Sequence, residues 1–284
     1  APDWRALCFN AFHDILPGTS IEEATRQQLE AMARLSDEAR DTEQASLLAI
    51  ARNWRHPDFP AQLPPDHPLP QPVLLHNPHP WMFEGVINLE APLDYRPQVA
   101  MPDSYDSLPV RILNAEGKDL PFQRLIPRNR FLPQFPWRMH TAVRVRVPPN
   151  GATVVYSGWW PDAPDPVPTN NPVSGEGNRI SGNGLSVEAL PGTDYLRVTA
   201  NRLNLFGGDG GLRVRAMADS FGSWGGHYDE VGSNDLRDCL ETWTVADARV
   251  LEKGPLQARL WVRLNNRSGS SRLDLCCILR SGNP

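Results

Sequence analysis

Apolar residues recur with a helical period through residues 1–55 and with a period of two after residue 72. Trp4, Leu7, Cys8 and Ala11 stand at i, i+3, i+4 and i+7, one face of a short helix. Pro17-Gly18 predicts its end. Ser20 then offers an N-cap, and Glu23 three residues on completes a capping box. The helix predicted from there has apolar positions at Ile21, Ala24, Leu29, Met32, Leu35 and Ala39. Glu22, Arg26, Glu30 and Arg34 lie on its other face, and it runs as far as Arg52. At 1.5 Å per residue this is a rod of about 45 Å. Such a helix needs partner helices to bury its stripe, and the chain supplies one short candidate.

Residues 56–72, HPDFPAQLPPDHPLPQP, hold seven prolines and read as an extended linker. The strand-like runs that follow are Val73–Leu75, Gly85–Leu89, Val110–Leu113, Thr141–Val147 and Thr153–Tyr156. Val143, Val145 and Val147 alternate with Arg144 and Arg146, the mark of a half-buried strand. Residues 157–176 are a second proline-rich break. Beyond it come Leu185–Glu188, Tyr195–Thr199, Cys239–Val245, Leu256–Leu264 and Arg272–Leu279. Closely spaced strands with turn signals and no intervening helices predict β-sandwiches. The expected class is α+β, mainly β. The expected division is helical 1–55, linker 56–72, a small sandwich 73–160, linker 161–176, and a larger β domain beginning at 177–284. The last strand has no clear stop, as if an open sheet continued.

Composition narrows the function classes. The 29 prolines in 284 residues are about twice the usual ~5% share. They force much of the chain into loops, turns and edges. A net charge of -5 gives no general electrostatic reason to bind nucleic acid or an anionic membrane. No window of 18 apolar residues occurs, so no membrane span is expected. Cys8, Cys239, Cys276 and Cys277 form no CxxC pair, and adjacent strand residues point to opposite faces. A reducing compartment, the cytoplasm, is the expectation.

The segment Asn10–Ile21 carries the candidate chemistry. His13 and Asp14 stand at the end of an apolar helix before a Pro-Gly stop, and neither suits a buried face without a partner. Two readings are open. His13 caps helix carbonyls while Asp14 caps the next turn, or both side chains project into a cleft with the imidazole as metal ligand or acid/base group.

FHDILPGTSI resembles the helix-end motif of glycoside hydrolase family 38 α-mannosidases, especially the bacterial and cytosolic type. Further segments are similar in the family's order: His76–Trp81 followed by Gly85-Val86-Ile87, Ala218–Tyr228 with its Asp-x-x-x-x-Trp-Gly, Gly254–Arg259, and Ser271-Arg272-Leu273. The resemblance implies the end of a helical middle domain followed by a truncated β-supersandwich of galactose-mutarotase-like form. It implies a retaining exo-mannosidase with one zinc ion, acting on α-mannoside glycans. His13 would be a zinc ligand and Asp14 would contact the terminal sugar. The types agree: neutral imidazole suits zinc, and a carboxylate accepts a hydrogen bond from a sugar hydroxyl. The family's other zinc ligands include an N-terminal His-x-Asp pair, expected to be absent from this chain, and its nucleophilic Asp lies in an α/β barrel that would precede residue 1. No catalytic residue is therefore assigned in this chain, which alone is expected to be inactive.

The weaker candidates have plainer explanations. His76 and His79 flank prolines in extended chain. Gly207–Gly211 lacks the Lys and the strand-loop-helix setting of a phosphate loop and reads as a hairpin. Trp159, Trp160 and Trp224 could stack on sugars or pack between layers. Asn266-Arg267-Ser268 has the form of a glycosylation sequon. The competing function is a non-catalytic carbohydrate-binding or structural β-sandwich module. In either case the apolar stripes of residues 1–55 and the open last strand predict self-association into a homo-oligomer.

Overall fold

The computed structural model describes residues 4–16, 18–56, 69–92, 109–126, 138–160, 169–206, 211–217 and 239–282. The readings at Pro17, Gly207–Gly210 and Trp224, and the Ala218–Tyr228 segment, lie outside the described residues. The chain divides into two units, Ala1–Arg55 with Arg215–Glu241, and His56–Val214 with Thr242–Pro284.

In the first unit, α1 (Trp4–Asn10) stops well before Pro17-Gly18. The Asn10 side chain donates to the Ala6 carbonyl at 2.8 Å. Asn competes in this way for the groups a continuing helix would use. From Phe12 on, tighter i→i−3 bonds such as Phe12 N to Phe9 O and Ile15 N to Phe12 O form successive turns. The second helix, α2 (Glu22–Arg52), ends at the predicted residue but is not started by the predicted capping box. Its N-cap is Ile21, with no side-chain cap. Ser20 lies one residue too early and donates to the Asp14 carbonyl instead, at 2.7 Å. Glu23 accepts from Arg26 and Gln27. The start rests on Glu22 and Glu23 in the first turn, which favour the positive end of the helix dipole. No residue of α2 is fully buried.

The second unit contains two β-sandwiches. The first is built from β1 (Gln71–Asn77), β2 (Phe83–Pro92), β3 (Val110–Leu113), β4 (Phe122–Arg124), β5 (Arg138–Val147) and β6 (Gly151–Trp159). They form two antiparallel sheets ordered β1-β6-β3 and β2-β5-β4. Ile112, Val155 and Trp159 of one sheet meet Leu89, Phe122, Met139, Val143, Val145 and Val147 of the other. The alternation read in β5 is thus the core face of a sandwich. Ser157–Trp159, read as the start of a break, instead complete β6.

The second sandwich sets β7 (Ser174–Glu176), β8 (Arg179–Gly182), β9 (Leu185–Ala189), β10 (Leu196–Ala200), β11 (Leu203–Asn204) and β12 (Gly211–Leu212) against β15 (Thr244–Lys253), β16 (Gln257–Asn265) and β17 (Arg272–Arg280). Its core joins Val173, Ile180, Ala189 and Leu196 to Val245, Ala258, Leu260, Val262 and Leu264. The short β13 (Arg215–Met217) pairs with β14 (Cys239–Thr242). The turn from β15 to β16 requires glycine: Gly254 has φ +98°, and a Cβ there would collide with the Val173 carbonyl oxygen.

The outer face of the β2-β5-β4 sheet meets the start of β16. Val86, Leu125, Ala142 and Leu256 form a small apolar cluster there. Ala142 is an outward residue of β5 that is nonetheless fully buried, because Leu256 covers it. The class expected from sequence, mainly β with N-terminal helices, is the class observed.

Candidate functional site

His13 and Asp14 lie in the turns between α1 and α2 rather than in a helical last turn. The backbone beneath them is fastened. Thr19 and Ser20 both donate their hydroxyls to the Asp14 carbonyl, at 3.1 and 2.7 Å. Gly18 turns the chain with φ +77°. The two side chains are left facing solvent: His13 is 71% exposed and Asp14 45%. His13 Nε2 is 3.6 Å from Asp14 Oδ2, and the Phe12 ring lies against the imidazole at a centroid distance of 4.3 Å. The side-chain capping role for Asp14 is not adopted. It is the Asp14 backbone oxygen that receives the hydroxyls, and the carboxylate remains open.

Beside this turn the α1–α2 pair forms a groove of about 410 Å³ lined by Leu7, Ala11, Ile15, Leu16, Leu29 and Met32. Its apolar lining accounts for the period seen in the sequence.

The donor types at His13 and Asp14 suit zinc, but two donors are half of the four a protein zinc site normally uses. Among the described residues no group of three or more His, Cys, Asp and Glu could hold a metal ion. Two triplets have the His-x-Asp form; His227-Tyr228-Asp229 lies outside the described residues, and the other is His56-Pro57-Asp58. Its His56 Nδ1 is 3.0 Å from the hydroxyl of buried Tyr156, a packing contact of the first sandwich, and Pro57 and Asp58 lie outside the described residues.

The other candidates resolve into structure. His79 stacks flat on Trp81 with centroids 4.7 Å apart, and its N–H is received by the Asn77 side chain. His76 sits on the exposed side of β1. Neither belongs to a metal cluster among the described residues. Trp159 and Trp160 are buried, so they pack rather than offer a stacking platform. Asn266 ties the β16–β17 hairpin, donating to Ser268 and Ser270 and accepting from Ser271 N. All four cysteines are free thiols. Among the described residues no helix is long and apolar enough to cross a membrane.

No protein-family profile matches the chain, and no curated protein matches it by sequence. Its fold does match solved structures. An α-mannosidase from Enterococcus faecalis V583 superposes with a TM-score of 0.53 at 14% identity, over 92% of this chain and 30% of that one. A glycosyl hydrolase family 38 protein from Enterococcus faecalis superposes with a TM-score of 0.56 at 13% identity, over 92% of this chain and 31% of that one. The chain therefore has the fold of a segment, less than a third in length, of an α-mannosidase and of a glycosyl hydrolase family 38 protein.

Proposed function

We propose that this chain is part of a zinc-dependent retaining α-mannosidase that removes terminal α-mannosyl residues from glycans. The observation that carries the reading is the coincidence of two independent likenesses. The fold follows an α-mannosidase and a glycosyl hydrolase family 38 protein over 92% of the chain. The motif FHDILPGTSI, found on sequence grounds, falls on a fastened turn that presents an imidazole and a carboxylate to solvent.

In this reading His13 would offer an imidazole nitrogen to zinc, and Asp14 would accept a hydrogen bond from a hydroxyl of the terminal sugar. Thr19 and Ser20 fix the backbone of the turn that carries the two side chains. When bound, zinc supplies a Lewis acid that orients vicinal sugar hydroxyls. A retaining glycosidase also needs two carboxyl groups about 5–5.5 Å apart. Asp14 is not one of that pair, so the 284 residues alone do not catalyse the reaction. The free thiols agree with a cytoplasmic setting. The apolar groove of the helix pair supports self-association of the chain.

The test is hydrolysis of an aryl α-mannoside by the natural protein that carries this chain, beside its Asp14→Asn variant. The expected result is turnover in the first and a loss of at least about tenfold in kcat/KM in the second, equivalent to about 1.4 kcal/mol of transition-state stabilisation. Absence of turnover in both, with the binding of α-mannosides retained, would favour the non-catalytic module.

A further inference from the structure

Where the outer face of the first sandwich meets β15 and β16, a cavity of about 200 Å³ opens, lined by polar and charged side chains as well as Leu89, Leu125 and Ile126. At ~30 Å³ per water it has room for about six or seven waters, the space of one small ring rather than of an extended ligand.

The polar wall is built by a backbone irregularity. Val250 pairs with Leu260 on the core face of β15, and strict alternation would put Glu252 on that face too. A β-bulge between Val250 and Glu252 adds one residue, so that Glu252 pairs with Arg259 on the opposite face. Bulges re-aim side chains in this way. The carboxylate so placed is only 4% exposed, and both its oxygens are engaged. Arg259 Nη2 reaches Oε1 at 3.0 Å and Gln257 Nε2 donates to Oε2 at 2.7 Å. Gln257 Oε1 in turn accepts from Arg280 Nε at 3.0 Å. Arg259 is thereby held with its Nε buried and without a hydrogen-bond acceptor among the described residues. Across the cavity the first sandwich contributes the cross-strand pair Glu90 and His140, whose Oε1 and Nε2 are 3.7 Å apart, and Asn88 two residues before Glu90.

We propose that this cavity binds a neutral polyhydroxylated ligand the size of one monosaccharide ring. The lining offers donors from Arg259 and Asn88 and acceptors from Glu90 and Asn88 within one small space. A hydroxyl both donates and accepts through one atom, so a polyol satisfies both sides at once. An anionic ligand would face Glu90 and Glu252, and a cationic ligand would face Arg259. Leu125 and Ile126 supply the apolar wall against which a ring's C–H face packs. This site is formed by the sandwiches alone and does not depend on His13, Asp14 or the proposed mannosidase activity.

The probes are glucose, galactose, mannose and glucuronate, each presented to the 284-residue chain and followed by saturation-transfer NMR and titration. The expected result is millimolar binding of at least one neutral sugar, weaker binding of glucuronate, and at least a tenfold loss of affinity in Glu90→Gln. Asn88 is exposed, so Asn88→Trp fills the cavity without touching the Glu252 network, and it abolishes binding at an unchanged melting temperature. Failure of every neutral sugar at about 10 mM overturns the proposal, as does stronger binding of glucuronate. Binding that survives Asn88→Trp but is lost in Asp14→Asn places the sugar at the exposed turn and overturns it as well.

Discussion

The side-chain amide of Gln123 pairs with the backbone of Gln257 as a neighbouring strand would. Gln123 Oε1 accepts from Gln257 N at 2.8 Å, and Nε2 donates to Gln257 O at 2.9 Å. The same oxygen also accepts from Leu256 N at 2.8 Å. Leu256 and Gln257 are buried, so these three backbone groups meet the first sandwich through one side chain.

Gln123→Ala therefore leaves two buried N–H groups and one carbonyl without this partner. At about 1–3 kcal/mol for an unpaired buried group, partly offset by entering water, the expected loss is about 2–3 kcal/mol of stability. Gln123→Glu keeps the acceptor but sets a carboxylate oxygen against the Gln257 carbonyl oxygen, so it too is expected to destabilise. Urea unfolding of both variants measures this. A loss below about 0.5 kcal/mol in Gln123→Ala would show that apolar contact at Leu256 holds the sandwiches together unaided.

The Arg263 guanidinium beside Asp274, bonded at 2.8 and 3.1 Å, holds that carboxyl below the ordinary carboxylate range. A carboxyl whose pKa is lower in the folded state stabilises above its unfolded pKa, and the contribution is lost as pH falls through the folded value. The pair is solvent-screened, so the effect is small. Asp274→Asn should flatten the fall in stability on acidification from the ordinary Asp range downward. Equal slopes for variant and parent in acid titrations monitored by circular dichroism would contradict this.

Adjacent cysteines in β17 provide an internal comparison. Cys276 is exposed, while Cys277 faces the second core and burial raises its thiol pKa. Thiolate is the reactive form. Iodoacetamide at mildly alkaline pH should therefore modify Cys8, Cys239 and Cys276 well before Cys277, as read by peptide mass spectrometry. Equal rates at 276 and 277 would mean that β17 opens readily at the edge it leaves unpaired among the described residues.

The groove of the α1–α2 pair leads to a fourth expectation. Leu29 is 67% exposed, and no residue of α2 is buried. The isolated chain should form a dimer at micromolar concentration by light scattering, and Leu29→Glu with Met32→Glu should return it to a monomer. A parent chain that stays monomeric, with a melting temperature independent of concentration, would remove the helix face as the association surface.

What the sequence disclosed and what it hid differ for physical reasons. The run Val143–Val147 was legible because Val143, Val145 and Val147 are buried while Arg144 and Arg146 between them are not. Most of β15 was not legible. Its core-facing residues are Val245, Ala248 and Val250, and bulges after Val245 and Val250 break the period of two. The second bulge also hid Glu252, which reads as an ordinary surface residue. The three-residue β4 is too short to show alternation, although Gln123 joins the sandwiches. At the helix turn the sequence identified His13 and Asp14 as chemically unusual. It could not reveal that Ser20 would bond the Asp14 carbonyl in place of capping α2, because both uses need the same residue type at nearly the same position.

The most direct measurement is zinc content and aryl α-mannoside hydrolysis together, in the natural protein that carries this chain and in its His13→Ala variant. If His13 is a zinc ligand, the parent holds zinc in stoichiometric amount after dialysis against a chelator, and the variant loses zinc and activity in parallel. Retained zinc and undiminished turnover in His13→Ala would contradict the account, leaving His13 as a solvent-exposed residue of a structural turn.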